Sequence, residues 1–191
     1  NTTALGCARD MGDLDFFVIT RKGSIWSTRL FGGIPFRLLG WMPKAEETRD
    51  AVCLSYFISD AGLDLSSHML TPDDPYFRHW VLSLLPLYDD GVSVELWEKN
   101  VALRQRHPFA EQWIAPPDLA LKTPSLRVPT SLFEGLARAL QQRWFPQAIR
   151  DRMNKDSTVM VSDDALKFHV TDNRAEFRTK FENNLRRYDA T

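Results

Sequence analysis

Asp13 and Asp15 stand one residue apart at the start of an apolar run, "GDLDFFVIT". In a strand, residues i and i+2 share a face, so both carboxylates would point the same way. Two like charges held that close repel, and one tends to take up a proton. A divalent cation removes the conflict. Mg²⁺ favours carboxylate oxygens together with the oxygens of a substrate phosphate. Asp13 and Asp15 are therefore candidate metal ligands and catalytic residues for phosphoryl or nucleotidyl transfer. The plainer alternative is that Asp13 ends a loop and Asp15 caps a turn. Arg21 and Lys22 follow the run and are candidates for meeting triphosphate oxygens, with a solvated turn as the alternative. His169, in "LKFHV", is either a structural histidine or a nucleotide contact. His68, His79 and His107 show no metal-ligand spacing, and the chain has neither G-x-S-x-G nor a P-loop.

The elements that position these residues follow from local pattern. Residues 14–20, "LDFFVIT", read as a strand buried on both faces and ending at the turn signal "RKGS". Ser24 can cap the helix that follows. Trp26, Leu30, Ile34 and Leu38 recur at the helical period, and Gly32, Gly33 and Pro35 are expected to bend or break that helix. Residues 51–59, "AVCLSYFIS", read as a second strand, paired with the first inside the sheet. Two helices follow at "DDPYFRHWVLSLLPLYDD" and "VSVELWEKNVALRQRH", then a Pro-rich loop. A long helix at "SLFEGLARALQQRWFPQAIRDRM" is expected to turn Phe133, Leu136, Ala137, Leu140 and Trp144 inward. "STVMVSDDALKFHV" reads as two short strands around Asp163 and Asp164. A last helix, capped by Asp172 or Asn173, carries Phe177, Phe181 and Leu185 as its inward stripe.

The 191 residues are enough for one domain with a sizeable core, and 43% apolar with 26% charged residues is ordinary for a globular protein. A formal net charge of −1 provides no global field for nucleic acid or anionic lipid. Two cysteines without CxxC spacing indicate neither a disulfide framework nor a zinc cluster, so the expected setting is the reducing cytoplasm. No run approaches membrane-spanning length.

The segment "GDLDFFVITRKGSIWSTRL" resembles the metal-binding strand of a bacterial nucleotidyltransferase-like family in the polymerase-β-type superfamily. "VCLSYFISDAGLDL" is similar to that family's next strand. "LLPLYDDG" followed by "ELWEKNVALRQRHPF" is similar to its helical region, and "LKFHVTDNRAEFRTKFENNL" to its carboxy-terminal segment. The resemblance spans residues 13–185. It implies an α/β fold: a small mixed sheet of nucleotidyltransferase type with an appended α-helical carboxy-terminal region. Residues 1–62 would form the core, and residues 63–191 the helical region with a short carboxy-terminal hairpin. It further implies an NTP substrate, Mg²⁺ on Asp13 and Asp15, a Gly-Ser turn holding the phosphates, and a third carboxylate on the next core strand. The acceptor hydroxyl is not specified. Gly6-Cys7 stands too close to Asp13 to be the phosphate turn, so that turn and the first core strand are expected upstream of Asn1. Residues 51–59 hold no acid, and Asp50 and Asp60 flank them. The alternative function is a non-catalytic module of the same fold, for nucleotide binding or protein interaction.

Overall fold

The computed structural model describes residues 12–43, 50–117, 120–121 and 130–189. Phe16, Phe17, Val18 and Ile19 make β1 (Leu14–Thr20), as their bulk and branching favour. Gly23 closes the following turn with φ +74°, a conformation that costs glycine little. Helix α1 (Ile25–Leu38) then returns the chain to β2 (Val52–Ser59), which lies parallel to β1. Next come three short helices, α2 (Pro75–Leu82), α3 (Val92–Lys99) and α4 (Val101–Arg104). Beyond them lie α5 (Glu134–Trp144), α6 (Gln147–Arg152), the hairpin β3 (Val159–Val161) and β4 (Ala165–Phe168), and α7 (Arg174–Asp189).

The four strands form one mixed sheet in the order β1-β2-β4-β3. β4 pairs antiparallel with both β2 and β3. The sheet thus draws strands from both sides of residue 62, and the carboxy-terminal hairpin is part of it. Each face of the sheet carries its own core. On one, Ile25 and Trp26 of α1 meet Phe57, Leu166, Val159, Val161, Ala137 and Ile149. On the other, Tyr56, Ile58 and Ala165 meet Leu63, Leu65, Phe77, Val81, Leu96 and Leu103.

Several sequence expectations need correction. β1 pairs with β2 as expected, but among the described strands it is terminal rather than internal. Its residues up to Ile19 are at best half-buried, Phe17 among them. α1 is not broken; it runs through Gly32, Gly33 and Pro35. Its buried residues are Ile25, Trp26 and Ser27, while Ile34 and Leu38 are exposed. The inward face of α5 departs from the apolar stripe: Ala137 is buried as expected and Leu140 half-buried, but Gln141 is buried beside them, whereas Phe133, Leu136 and Trp144 are exposed. The cause is polar. Glu134 turns inward, and its carboxylate accepts the amides of Trp26 and Ser27, both at 2.9 Å, and the Ser27 hydroxyl at 2.6 Å. Glu134 thereby caps α1, and Ser24 makes no side-chain capping bond. Gln141 donates to the Trp26 carbonyl at 2.7 Å and accepts from Arg29 at 2.6 Å. On α7, Phe177 and Leu185 are exposed and Phe181 is half-buried, so that stripe covers the core only in part.

Candidate functional site

Parallel pairing sets the starts of β1 and β2 side by side, with Asp15 opposite Cys53. Asp13 and Asp15 share a face, as strand alternation requires. Their carboxylates and the Cys53 thiol all lie within 4.8 Å of one another. Burial of the Asp15 carboxyl at this crowded spot, and then the charge of Asp13, push its pKa up, while a hydrogen bond from Cys53 opposes them. The Asp15 side chain is nonetheless exposed by surface area, so solvent screens much of the repulsion. Cys53 is pushed up to about 12, by burial first and by both aspartates, and its thiol stays neutral at pH 7. It donates to Ser55 Oγ at 3.3 Å, which in turn lies 3.2 Å from His169 Nε2.

The pairing register slips between Asp15 and Phe17, so that Phe17 faces Tyr56 and β2 carries one extra residue. Bulges of this kind re-aim side chains and recur beside active sites. Here two consecutive residues, Ser55 and Tyr56, both line the same cavity. That cavity, of about 290 Å³, starts at Asp15 and runs between the sheet and α2. Tyr56 and Phe77 both stack on Trp80, at 5.3 Å and 5.6 Å between ring centroids, and form an aromatic wall. Lys167 of β4 lies on its inner side and is 1% exposed. Its Nζ makes no hydrogen bond among the described residues and sits 5.4 Å and 5.2 Å from the ring centroids of Tyr56 and Phe77. Burial, and next the charge of Arg174, press its pKa down to about 7.

Arg174 also lines the cavity, but its donors are taken. It contacts Asp74 at 2.8 Å and Asp172 at 2.7 Å, and it donates to the His68 carbonyl at 2.9 Å and to Ser157 Oγ at 3.1 Å. Asp74 is fully buried and also accepts the amides of Leu70 and Phe77, which caps α2. This cluster fixes α7 against α2 and shapes the cavity's rear.

Arg21 and Lys22 are not brought to the carboxylate pair. They follow the far end of β1, roughly 20 Å from Asp15 at the rise of a strand. Arg21 pairs with Asp90 on the surface at 3.0 Å, and the Lys22 amide donates to Asp60 at 2.8 Å. Asp60 is therefore also at the wrong end to complete a metal site. Asp50 is at the right end, where its amide donates to the Gly12 carbonyl at 3.0 Å, but its carboxylate is not in the cluster with Asp13 and Asp15. His169 lines the cavity, and burial followed by the charge of Lys167 holds its pKa near 4, so it is neutral at pH 7.

Cys53, Ser55, Lys167 and Arg174 are the site residues that sequence reasoning missed. One signal was readable. In "ALKF" the alternation of a strand puts Lys167 on the same face as Ala165, and an inward lysine is rare enough to mark a site. No helix among the described residues is long and apolar enough to cross a membrane. Comparison of the chain with protein-family models, with curated proteins and with solved structures gave no match.

Proposed function

We propose that the chain binds a nucleoside triphosphate together with Mg²⁺ at Asp13 and Asp15, and transfers a nucleotidyl group to a hydroxyl acceptor. The observation that carries this reading is the pair of carboxylates sharing a strand face at the mouth of a cavity. The donors suit the ion. Mg²⁺ binds through one or two carboxylates, keeps several waters, and takes its other oxygens from substrate phosphates. When bound it would neutralise phosphate charge and polarise the phosphoryl group. Cys53 does not suit it, because a neutral thiol is a soft, weak donor for a hard cation. Asp13 and Asp15 would hold and orient the substrate through the ion, and the aromatic wall makes the inner part of the cavity less polar.

One observation favours a second reading, a nucleotide-binding module without catalysis. Cys53 lies across from Asp15 on the strand where the resemblance implies a third carboxylate. Calorimetric titration of ATP, with and without Mg²⁺, tests the pair. Wild type is expected to bind ATP more tightly with Mg²⁺, by roughly tenfold, or about 1.4 kcal/mol. Asp15→Asn is expected to lose that dependence, and Cys53→Asp to strengthen it. Equal affinity in every condition would sink the metal reading. Release of pyrophosphate from the bound nucleotide separates the two functions: binding without release, in wild type and in Cys53→Asp, leaves the module.

A further inference from the structure

We infer that the cavity beside Asp15 is an oxyanion site in which Lys167 grips a phosphate oxygen of the ligand. This rests on the nucleotidyl reading only for the identity of the ligand, since it concerns a different residue on a different strand.

The inference starts from an unmet donor. A buried charged or polar group without a partner is costly, and such groups in folded proteins are nearly always hydrogen-bonded. Lys167 is almost wholly buried, and its Nζ has no hydrogen-bond partner among the described residues. The carboxylates that act on it are committed elsewhere: Asp74 and Asp172 are both engaged by Arg174, and Asp156 accepts from the amide and hydroxyl of Thr158. Arg174 itself is saturated, so among the described cations that line the cavity Lys167 is the one with donors left to offer. The rings of Tyr56 and Phe77 stabilise the ammonium by cation–π attraction, yet they accept no strong hydrogen bond from it. A small anion entering from the Asp15 side supplies what is missing. Lys167 already lines the cavity, and its flexible four-carbon stem lets the ammonium adjust to a bound anion.

The ligand's chemistry follows from the walls. The cavity holds about 290 Å³, room for a phosphate or a short phosphate chain. Asp15 at the rim weakens the binding of a bare anion without preventing it and favours one that brings a cation, so the inner Lys167 and the outer carboxylate pair would hold successive parts of one metal-bound phosphate chain.

The test uses pyrophosphate with the full chain, in EDTA and then in Mg²⁺. Calorimetry in EDTA should show binding to wild type, weaker by roughly ten- to hundredfold in Lys167→Met, as expected for one hydrogen bond to a charged group. Asp15→Asn should bind at least as well as wild type, because a repelling charge is gone. A second measurement needs no variant: pyrophosphate should slow acylation of Lys167 by an amine-reactive reagent, read by peptide mass spectrometry. Absence of both binding and protection in wild type overturns the inference, as does equal binding by Lys167→Met; Lys167 is then a structural amine. The outcomes also separate the two proposals. If Lys167→Met weakens pyrophosphate while Mg²⁺ has no effect on ATP, the oxyanion site stands and the nucleotidyl reading falls. If Asp15→Asn abolishes Mg²⁺-dependent ATP binding while Lys167→Met changes nothing, the reverse holds.

Discussion

Lys167→Met is expected to make the protein more stable at neutral pH, and to remove a rise of stability between pH 7 and 9. Folding buries the ammonium and presses its pKa down to about 7, from an unfolded value of about 10.4. Between those values the unfolded chain holds a proton that the folded chain has released. Stability rises with pH wherever the unfolded state binds more protons, so the wild type should gain stability from pH 7 upward. At 1.36 kcal/mol per unit, the gain by pH 9 is about 2–3 kcal/mol. Below pH 7 both states are protonated and the folded chain bears the whole cost, roughly 3–6 kcal/mol. Methionine fills nearly the same space without the charge. Other groups set the limits of the window. The Cys53 thiol, held up near 12 by burial, lowers stability above pH 9, where the unfolded thiol ionises and the folded one does not. Tyr56, raised by burial, acts in the same direction at higher pH still. His68 and His169, held near 4 by burial and then by Lys167, lower stability as pH falls below about 6.5. Urea midpoints at pH 7, 8 and 9 check the prediction. A wild-type midpoint that stays flat, or a variant less stable than wild type at pH 7, would show that Lys167 is not a strained ammonium.

Arg174→Ala should be among the most damaging single changes in the described structure, at about 3–5 kcal/mol. The guanidinium is 5% exposed and links two carboxylates, a backbone carbonyl and Ser157. Removing it leaves the fully buried Asp74 side chain without the guanidinium, with only the Leu70 and Phe77 amides as partners, and breaking one side of a buried pair is the expensive case. Asp74→Asn should cost less. The side-chain oxygen can still accept the Phe77 amide at the start of α2, and Arg174 keeps Asp172. The checks are urea unfolding of both variants and tryptophan fluorescence, since Trp80 on α2 lies close to the disturbed contact. An Arg174→Ala loss below 1 kcal/mol would mean that water replaces the guanidinium at little cost.

The strands were legible in the sequence because their evidence is local. Residues 14–20 and 51–59 carry apolar, branched and aromatic runs interrupted within by only Asp15 and Ser55, and Ser162 to Asp164 mark the hairpin turn. Their partners were less legible. Tyr56 meets Lys167 across 111 positions of chain, and periodicity says nothing about which distant strand completes a sheet. The phase of α5 was misread for a definite reason. Amphipathicity assumes that apolar residues turn inward, but Glu134 and Gln141 face α1 because its backbone needs their oxygens and amide. The candidate site divides in the same way. The shared face of Asp13 and Asp15 follows from strand alternation alone. Cys53 needed the register, Ser55 and Tyr56 needed the bulge, and Arg174 needed the packing of α7 on α2.

The cap on α1 has a consequence for how the chain comes together. The first amides of a helix need acceptors, and those of α1 find theirs on a residue more than a hundred positions later. With two glycines and a proline within its span, α1 is a weak helix by itself. Its opening turn can become secure only after a long loop has closed and α5 has arrived, a late event on any folding path. The dependence also runs backward. Local opening of α5 would strip the start of α1 of its acceptors, so the two helices should loosen and re-form as one cooperative unit, although about half of the chain lies between them.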